Sequence, residues 1–218
     1  MYRLVIWDMD GTTLYTLKDL QNAVNTALIK HDFPERSEEE IQSFVGNGIH
    51  RLVELSVPSG TDEKTTEDVF QYCMEYYSAH CNDHTEPYPG ILPLLEKLKD
   101  EGIHTAIVSN KAVNAVKTLT DIYFHNLIEY SVGEKRTVRR KPAPDSVLEV
   151  LKYFHVDKKD AVYIGDSEVD IETAKNAGID CISVAYGYRD REFLQQCGAV
   201  TIVDSVEQLQ KKLLKRNS

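Results

Sequence analysis

The stretch Leu4-Val5-Ile6-Trp7-Asp8-Met9-Asp10-Gly11-Thr12 (residues 4–12) decides how this chain is read. Four consecutive apolar residues fit a central parallel strand covered on both faces, where no position is left for water. Side chains alternate along a strand, so Asp8 and Asp10 fall on the same side if the strand runs on. Two carboxylates held that close are hard to ionise together without a cation. Gly11 allows a sharp turn just past the strand's carboxyl end, where open α/β sheets bind their ligands.

Outward from this motif the pattern changes to helix. Leu17, Leu20, Val24, Ala27 and Leu28 follow the i, i+3, i+4, i+7 rhythm. Ser37-x-x-Glu40 reads as a capping box that opens a short helix through Phe44. Gly46-Asn47-Gly48 interrupts, and further helices are predicted over 52–57 and 63–80. Pro87, Pro89 and Gly90 then mark a hinge. Beyond it, strands predicted at 105–108, 127–132, 161–164, 182–184 and 201–203 alternate with helices, including 92–100 and a last one opened by Ser205. Such alternation implies an α/β fold, a parallel sheet with helices on both faces. The expected core domain comprises residues 1–14 and 88–218, and residues 15–87 form an inserted helical domain.

Composition narrows the class. A chain of 218 residues is long enough for one core domain with a smaller insert. The formal charge of −10 argues against nucleic-acid binding, which needs a basic face. No apolar run approaches the roughly 20 residues that span a bilayer, so no membrane association is expected. Cys73, Cys81, Cys181 and Cys197 form no CxxC pair and read as free thiols, two of them packed in helices. With no basic leader ahead of the first strand, the expectation is a soluble cytoplasmic protein.

Three further segments fall at predicted strand ends. Ser109-Asn110-Lys111 offers a hydroxyl and backbone N–H groups before a helix, which suits an anionic oxygen. In Lys141-Pro142-Ala143-Pro144-Asp145 the prolines restrict the backbone and hold the lysine at the start of a helix. The nearby Lys135, Arg136, Arg139 and Arg140 read as a solvated loop. Gly165-Asp166-Ser167-Glu168-Val169-Asp170 places two acids one helical turn apart. Alone, the opening motif is an acidic turn, and the three further segments are a helix cap, a surface lysine and an acid-rich helix start. Together they supply carboxylates for a hard cation, a hydroxyl and a fixed ammonium.

In that order the four segments resemble the motifs of the haloacid dehalogenase superfamily of phosphohydrolases, and the resemblance covers essentially the whole chain. It implies a Rossmann-like core with an inserted α-helical cap. Val45-Gly46-Asn47-Gly48, Val108-Ser109-Asn110-Lys111, Lys141-Pro142-x-Pro144 and the turn Tyr186-Gly187-Tyr188 look most like phosphoglycolate phosphatases. Tyr15 departs from the pattern, standing where those enzymes commonly carry an acid as the chain enters the cap. By the resemblance Asp8 is the nucleophile and Asp10 the acid/base. Lys141 balances charge, while Gly11, Thr12, Ser109 and Asn110 contact the phosphoryl group. Mg2+ would be held by Asp8, the Asp10 carbonyl and Asp166, with Asp170 in support. The implied partner is a small phosphorylated metabolite. The presence of Asp10 favours phosphoryl transfer, since the family's dehalogenases lack that acid.

Several alternatives stay open at this level. They are a nucleotidase, a pyrophosphatase or a β-phosphoglucomutase-like enzyme of the same fold, and a phosphoacceptor signalling module. His80, Cys81 and His84 sit at helical spacing, but without a second ligand cluster they read as a solvated helix end. Gly46-x-Gly48 lacks the strand and the GK[ST] of a phosphate loop and reads as a cap loop, with Asn47 and Arg51 as candidate leaving-group contacts.

Overall fold

The computed structural model describes residues 2–135 and 138–214, so Arg136 of the basic run lies outside the described residues. In chain order the elements are β1 (Leu4–Trp7), β2 (Leu14–Tyr15), α1 (Leu17–Lys30), α2 (Glu38–Phe44), α3 (Gly48–Ser56), α4 (Glu63–His80) and β3 (Glu86–Pro87). They continue with α5 (Ile91–Asp100), β4 (His104–Ala112), α6 (Val113–Tyr123), β5 (Tyr130–Glu134), α7 (Asp145–Phe154) and β6 (Ala161–Gly165). The last are α8 (Glu168–Ala177), β7 (Asp180–Val184), α9 (Arg191–Gln196), β8 (Ile202–Val203) and α10 (Val206–Leu213).

Contacts divide the chain into two compact units, Met1–Leu14 with Pro87–Ser218, and Tyr15–Glu86. In the first unit, β1 pairs in parallel with β4 and β6, so Leu4 faces His104 on one side and Ala161 on the other. The sheet order is β5-β4-β1-β6-β7-β8, which reverses direction at β1. That reversal is where a parallel sheet opens a ligand crevice. All four β1 residues are buried because alternate ones serve opposite faces. Val5 and Trp7 join a cluster with Leu94, Leu98, Leu119 and Leu209 of α5, α6 and α10. Leu4 and Ile6 join another with Val147, Val150 and Ala174 of α7 and α8. The N–H of Tyr88 donates to the carbonyl of Thr13 at 3.1 Å, joining the chain just before and just after the helical unit.

The helical unit buries Leu20, Val24, Ile41, Leu52, Val53, Val69, Cys73 and Tyr77. Asp19, in the first turn of α1, is 1% exposed. Its carboxylate accepts from the His84 N–H (3.0 Å), the Thr85 N–H (2.8 Å) and the Thr85 hydroxyl (2.8 Å), which fixes residues 84–85 to the helix. Tyr15 donates from its hydroxyl to Glu38 at 2.9 Å. Burial, then the bond and charge of Glu38, push the Tyr15 phenol up to about 12. No helix among the described residues is long and apolar enough to cross a membrane.

Several boundaries differ from the sequence expectations. Strand β1 stops at Trp7, so the aspartates lie beyond it, with Asp10 in an isolated bridge to Leu14 and not in a continued strand. The strand expected from Leu127 begins at Tyr130, because His125–Leu127 form a single tight turn whose Leu127 carbonyl accepts from the Thr105 hydroxyl. Helix α3 starts at Gly48, four residues before the predicted point, and is followed by Val57-Pro58. Ser37 and Glu40 make the capping box in full. At α10, Ser205 caps the Gln208 N–H, but the Gln208 side chain turns to the Asp204 N–H instead.

Candidate active site

The site is assembled from strand ends of the first unit. The Asp8 N–H donates to Ile164 O at 2.8 Å, which locks the residue after β1 onto β6. One Asp8 oxygen accepts from the Met9 N–H at 2.7 Å and lies 2.9 Å from the Lys141 ammonium. The chain then folds back through Gly11, whose φ of 78° favours glycine. A Cβ there would lie 2.3 Å from an Asp166 carboxylate oxygen, so both conformation and space exclude a side chain.

In β4 the pairing register shifts between Val108 and Ala112, so Ser109-Asn110-Lys111 sits in an irregular segment of the strand. Such bulges re-aim side chains near active sites. The Lys111 ammonium reaches Asp10 at 2.6 Å, with the lysine side chain 4% exposed. Asn110 is committed to Lys141: its amide donates to the Lys141 carbonyl at 3.1 Å and its oxygen accepts the Lys141 N–H at 2.8 Å. The Ser109 hydroxyl oxygen accepts from the Lys111 N–H at 3.3 Å.

Lys141 is buried, and its ammonium meets Asp170 at 2.7 Å, Asp8 at 2.9 Å and the Tyr163 hydroxyl at 3.0 Å. The Tyr163 hydroxyl in turn donates a hydrogen bond to the Val108 carbonyl at 2.8 Å. Asp170, fully buried, accepts on its other oxygen from the Ser167 hydroxyl at 2.6 Å and the Ser167 N–H at 3.1 Å. Asp166 accepts from the Thr12 hydroxyl at 3.1 Å and the Tyr188 N–H at 2.7 Å.

The electrostatics follow from burial. Oxygens of Asp8, Asp166 and Asp170 lie within 4.8 Å of one another. Burial pushes the Asp8 carboxyl up to about 7; Lys141 opposes the rise, and the charges of Asp170 and Asp10 add to it. Asp166 is pushed well above the usual carboxylate range by burial and by the charges of Asp170 and Asp8. Burial alone would lower Lys141, but Asp170 and Asp8 outweigh it and hold the ammonium charged well above its ordinary range. Two of the three carboxylates, Asp8 and Asp170, thus share one ammonium, while Asp166 has none within ion-pair distance among the described residues. An all-oxygen donor set with surplus negative charge fits a hard divalent cation such as Mg2+. The carboxylate of Asp10, held by Lys111, is not part of that trio.

The structure therefore brings together Asp8, Asp10, Gly11, Thr12, Ser109, Asn110, Lys141, Asp166 and Asp170. Some act differently from the phosphoryl contacts expected of them. The Gly11 and Thr12 N–H groups bond to the Leu14 (2.9 Å) and Met9 (3.3 Å) carbonyls. The Thr12 hydroxyl serves Asp166, and the Asn110 side chain serves the Lys141 backbone. Sequence reasoning missed Tyr163, and it named Lys111 and Tyr188 within their motifs without giving the lysine or the Tyr188 N–H a role. A lysine defaults to solvent and a tyrosine in an apolar run defaults to core, so neither announced its polar end. Asn47 and Arg51 belong to the helical unit, where Arg51 pairs with Glu54 at 2.7 Å. His80 pairs with Asp83 and His84 with Asp19, and neither joins a metal-ligating trio among the described residues.

Comparison with known proteins agrees with this chemistry. The family model described as haloacid dehalogenase-like hydrolase matches residues 5–184. Phosphoglycolate phosphatase of Psychrobacter arcticus is 32% identical over 224 residues, covering 98% of this chain and 96% of that protein. Phosphoglycolate phosphatase 1 of Pseudomonas aeruginosa is 30% identical over 213 residues, covering 95% and 78%. A crystal structure from Lactobacillus delbrueckii subsp. bulgaricus, provisionally assigned as a phosphoglycolate phosphatase, superposes with a TM-score of 0.94 at 36% identity over 99% of both chains.

Proposed function

The chain belongs to the haloacid dehalogenase-like hydrolases, and we propose that it is a magnesium-dependent phosphatase acting on a small phosphate monoester in the cytoplasm, with phosphoglycolate the first candidate. The observation that carries this reading is the division of the two aspartates between two lysines. Asp8 lies against Lys141 at 2.9 Å and Asp10 against Lys111 at 2.6 Å, so the carboxylates have separate environments and separate roles.

Asp8 attacks phosphorus with a carboxylate oxygen, and the bond from phosphorus to the ester oxygen breaks. Asp10 delivers a proton to the departing alkoxide. It then takes a proton from the water whose oxygen attacks the aspartyl-phosphate, releasing phosphate and restoring Asp8. Lys141 offsets the repulsion between an anionic nucleophile and an anionic substrate. Lys111 orients Asp10 for both proton transfers. Asp8, Asp166 and the Asp10 carbonyl are the groups that would hold Mg2+, with Asp170 supporting through Lys141 and Ser167. The cation supplies charge neutralisation at the phosphoryl oxygens. The names of the relatives support phosphoglycolate as substrate, and discrimination among esters is assigned to side chains of residues 15–86.

The test is a phosphate-release screen with phosphoglycolate, nucleotides, pyrophosphate and sugar phosphates, with and without Mg2+. Turnover of phosphoglycolate that chelation abolishes and Mg2+ restores is the expected result. A folded Asp8→Asn protein with near-normal turnover would sink the mechanism.

A further inference from the structure

The turn Tyr186-Gly187-Tyr188 follows β7, the neighbour of β6 in the sheet, and no step above uses it. It nevertheless packs against the groups that position the metal-side carboxylate. The Tyr188 N–H donates to one oxygen of Asp166 at 2.7 Å, while the Thr12 hydroxyl donates to the other at 3.1 Å. The Tyr186 hydroxyl donates to the Thr12 carbonyl at 3.2 Å, and its ring rests on Tyr88 with centroids 5.2 Å apart. At the far end of the turn, Arg189 approaches Glu168 at 3.5 Å and stands 5.6 Å over the Phe193 ring.

Gly187 is the point of closest approach. A Cβ there would lie 2.3 Å from the Gly11 carbonyl oxygen, 2.4 Å from the Asp166 Cβ and 2.7 Å from an Asp166 oxygen. The requirement at this glycine is space, since its backbone does not enter the left-handed region. Gly11 also meets Asp166, with a Cβ position 2.3 Å from the same carboxylate oxygen and 2.8 Å from the Tyr188 ring. The Asp166 carboxylate thus packs against two side-chain-free backbones and has a hydrogen-bond donor on each oxygen, which favours one orientation beside Asp8 and Asp170.

We propose that the Tyr186-Gly187-Tyr188 turn is a positioning element that sets the Asp166 carboxylate for a divalent cation, acting through Asp166 and Thr12 without touching substrate. This rests on the phosphatase reading only in needing a cation at Asp166. Outer groups that orient metal ligands change affinity by about 10- to 100-fold when altered, and the Gly187→Ala protein should fall in that range. Tyr186→Phe, which loses one hydrogen bond and adds no bulk, should weaken binding by about two- to tenfold.

The experiment is Mn2+ titration of substrate-free protein, followed by electron paramagnetic resonance, beside Mg2+-dependent turnover and thermal unfolding in chelator. The expected result is a raised dissociation constant in both variants, with turnover recovering as Mg2+ is raised. Unchanged Mn2+ affinity in Tyr186→Phe overturns the inference, whatever Gly187→Ala does to folding. So does a lowered melting temperature without a change in affinity. Wild-type protein that binds Mn2+ but hydrolyses none of the esters would overturn the phosphatase reading alone, and wild-type protein that binds none overturns both.

Discussion

Replacing Lys141 with methionine keeps most of the side chain's length and apolar bulk but removes the ammonium that touches both Asp8 and Asp170. The lysine side chain is 3% exposed and stands 2.9 Å and 2.7 Å from those carboxylates. Breaking a buried pair from one side costs about 3–5 kcal/mol, because the remaining charges are left without a partner. That is a large part of the roughly 5–15 kcal/mol that holds a domain folded. The cost should depend on pH in a definite direction. Even with Lys141 present, Asp8 sits at about 7, and without it burial and Asp170 are unopposed. A carboxyl raised in the folded state above its unfolded value of about 3.9 carries no penalty below that value. The penalty grows as pH rises through the interval and is complete above the folded value. Wild type, with Asp8 at about 7, carries the same penalty up to that pH, so the loss the variant adds through Asp8 is small at pH 5 and grows as pH rises past 7. Urea unfolding by circular dichroism in chelator, at pH 5 and pH 8, measures it. Adding Asp170→Asn should restore part of the loss, since one of the stranded charges is then gone. A loss at pH 8 below about 1 kcal/mol, the scale of an exposed ion pair, would refute the reasoning. An equal loss at both pH values would refute it too.

Cation binding should release protons between pH 5 and pH 8 and tighten as pH rises, because Asp8, at about 7, and the raised Asp166 must give up protons to bind. Calorimetry in buffers of different ionisation heat reads the proton count, and affinity independent of pH would contradict the assignment. Lys111→Met should lower kcat by about 100-fold, the lower scale of acid–base catalysis, while Mn2+ binding persists; loss of binding instead would place Lys111 at the cation. Asp19→Ala strands the N–H and hydroxyl of buried Thr85 and should cost about 3 kcal/mol. Hydrogen exchange should then accelerate in α1 and in residues 81–85 but not in β4 or β6.

Much of this site could be read from the chain because its parts announce themselves at strand ends. An all-apolar run such as 4–7 admits few settings, and both of its faces are indeed covered. Helix α4 lies at the bounds its apolar periodicity predicts, and the structure adds the cap of Asp62 on the Thr65 N–H. What stayed hidden were contacts set by tertiary approach. Lys111 reaches Asp10 across 101 residues of sequence, and no local pattern distinguishes it from a surface lysine. The Tyr188 donor is a backbone group with no side-chain signature. The clamp of the Asn110 side chain on Lys141 exists only once β4 and the segment before α7 lie side by side. Strand β5 was misplaced for a similar reason, since apolar Leu127 and Ile128 mimic a strand while a tight turn fills that position.

The hydrogen bond from Tyr88 to Thr13 has an evolutionary consequence. It lies within the α/β unit and joins the points where residues 15–86 leave and return. To the sheet, that whole excursion is one surface loop with its ends already stitched together. Loop-closure entropy grows only with the logarithm of loop length, about 0.6 kcal/mol for each doubling. Lengthening, shortening or exchanging the excursion therefore disturbs the fold of the sheet very little. Selection can remodel the part of the chain assigned to choosing the ester while the residues that break its bond stay fixed.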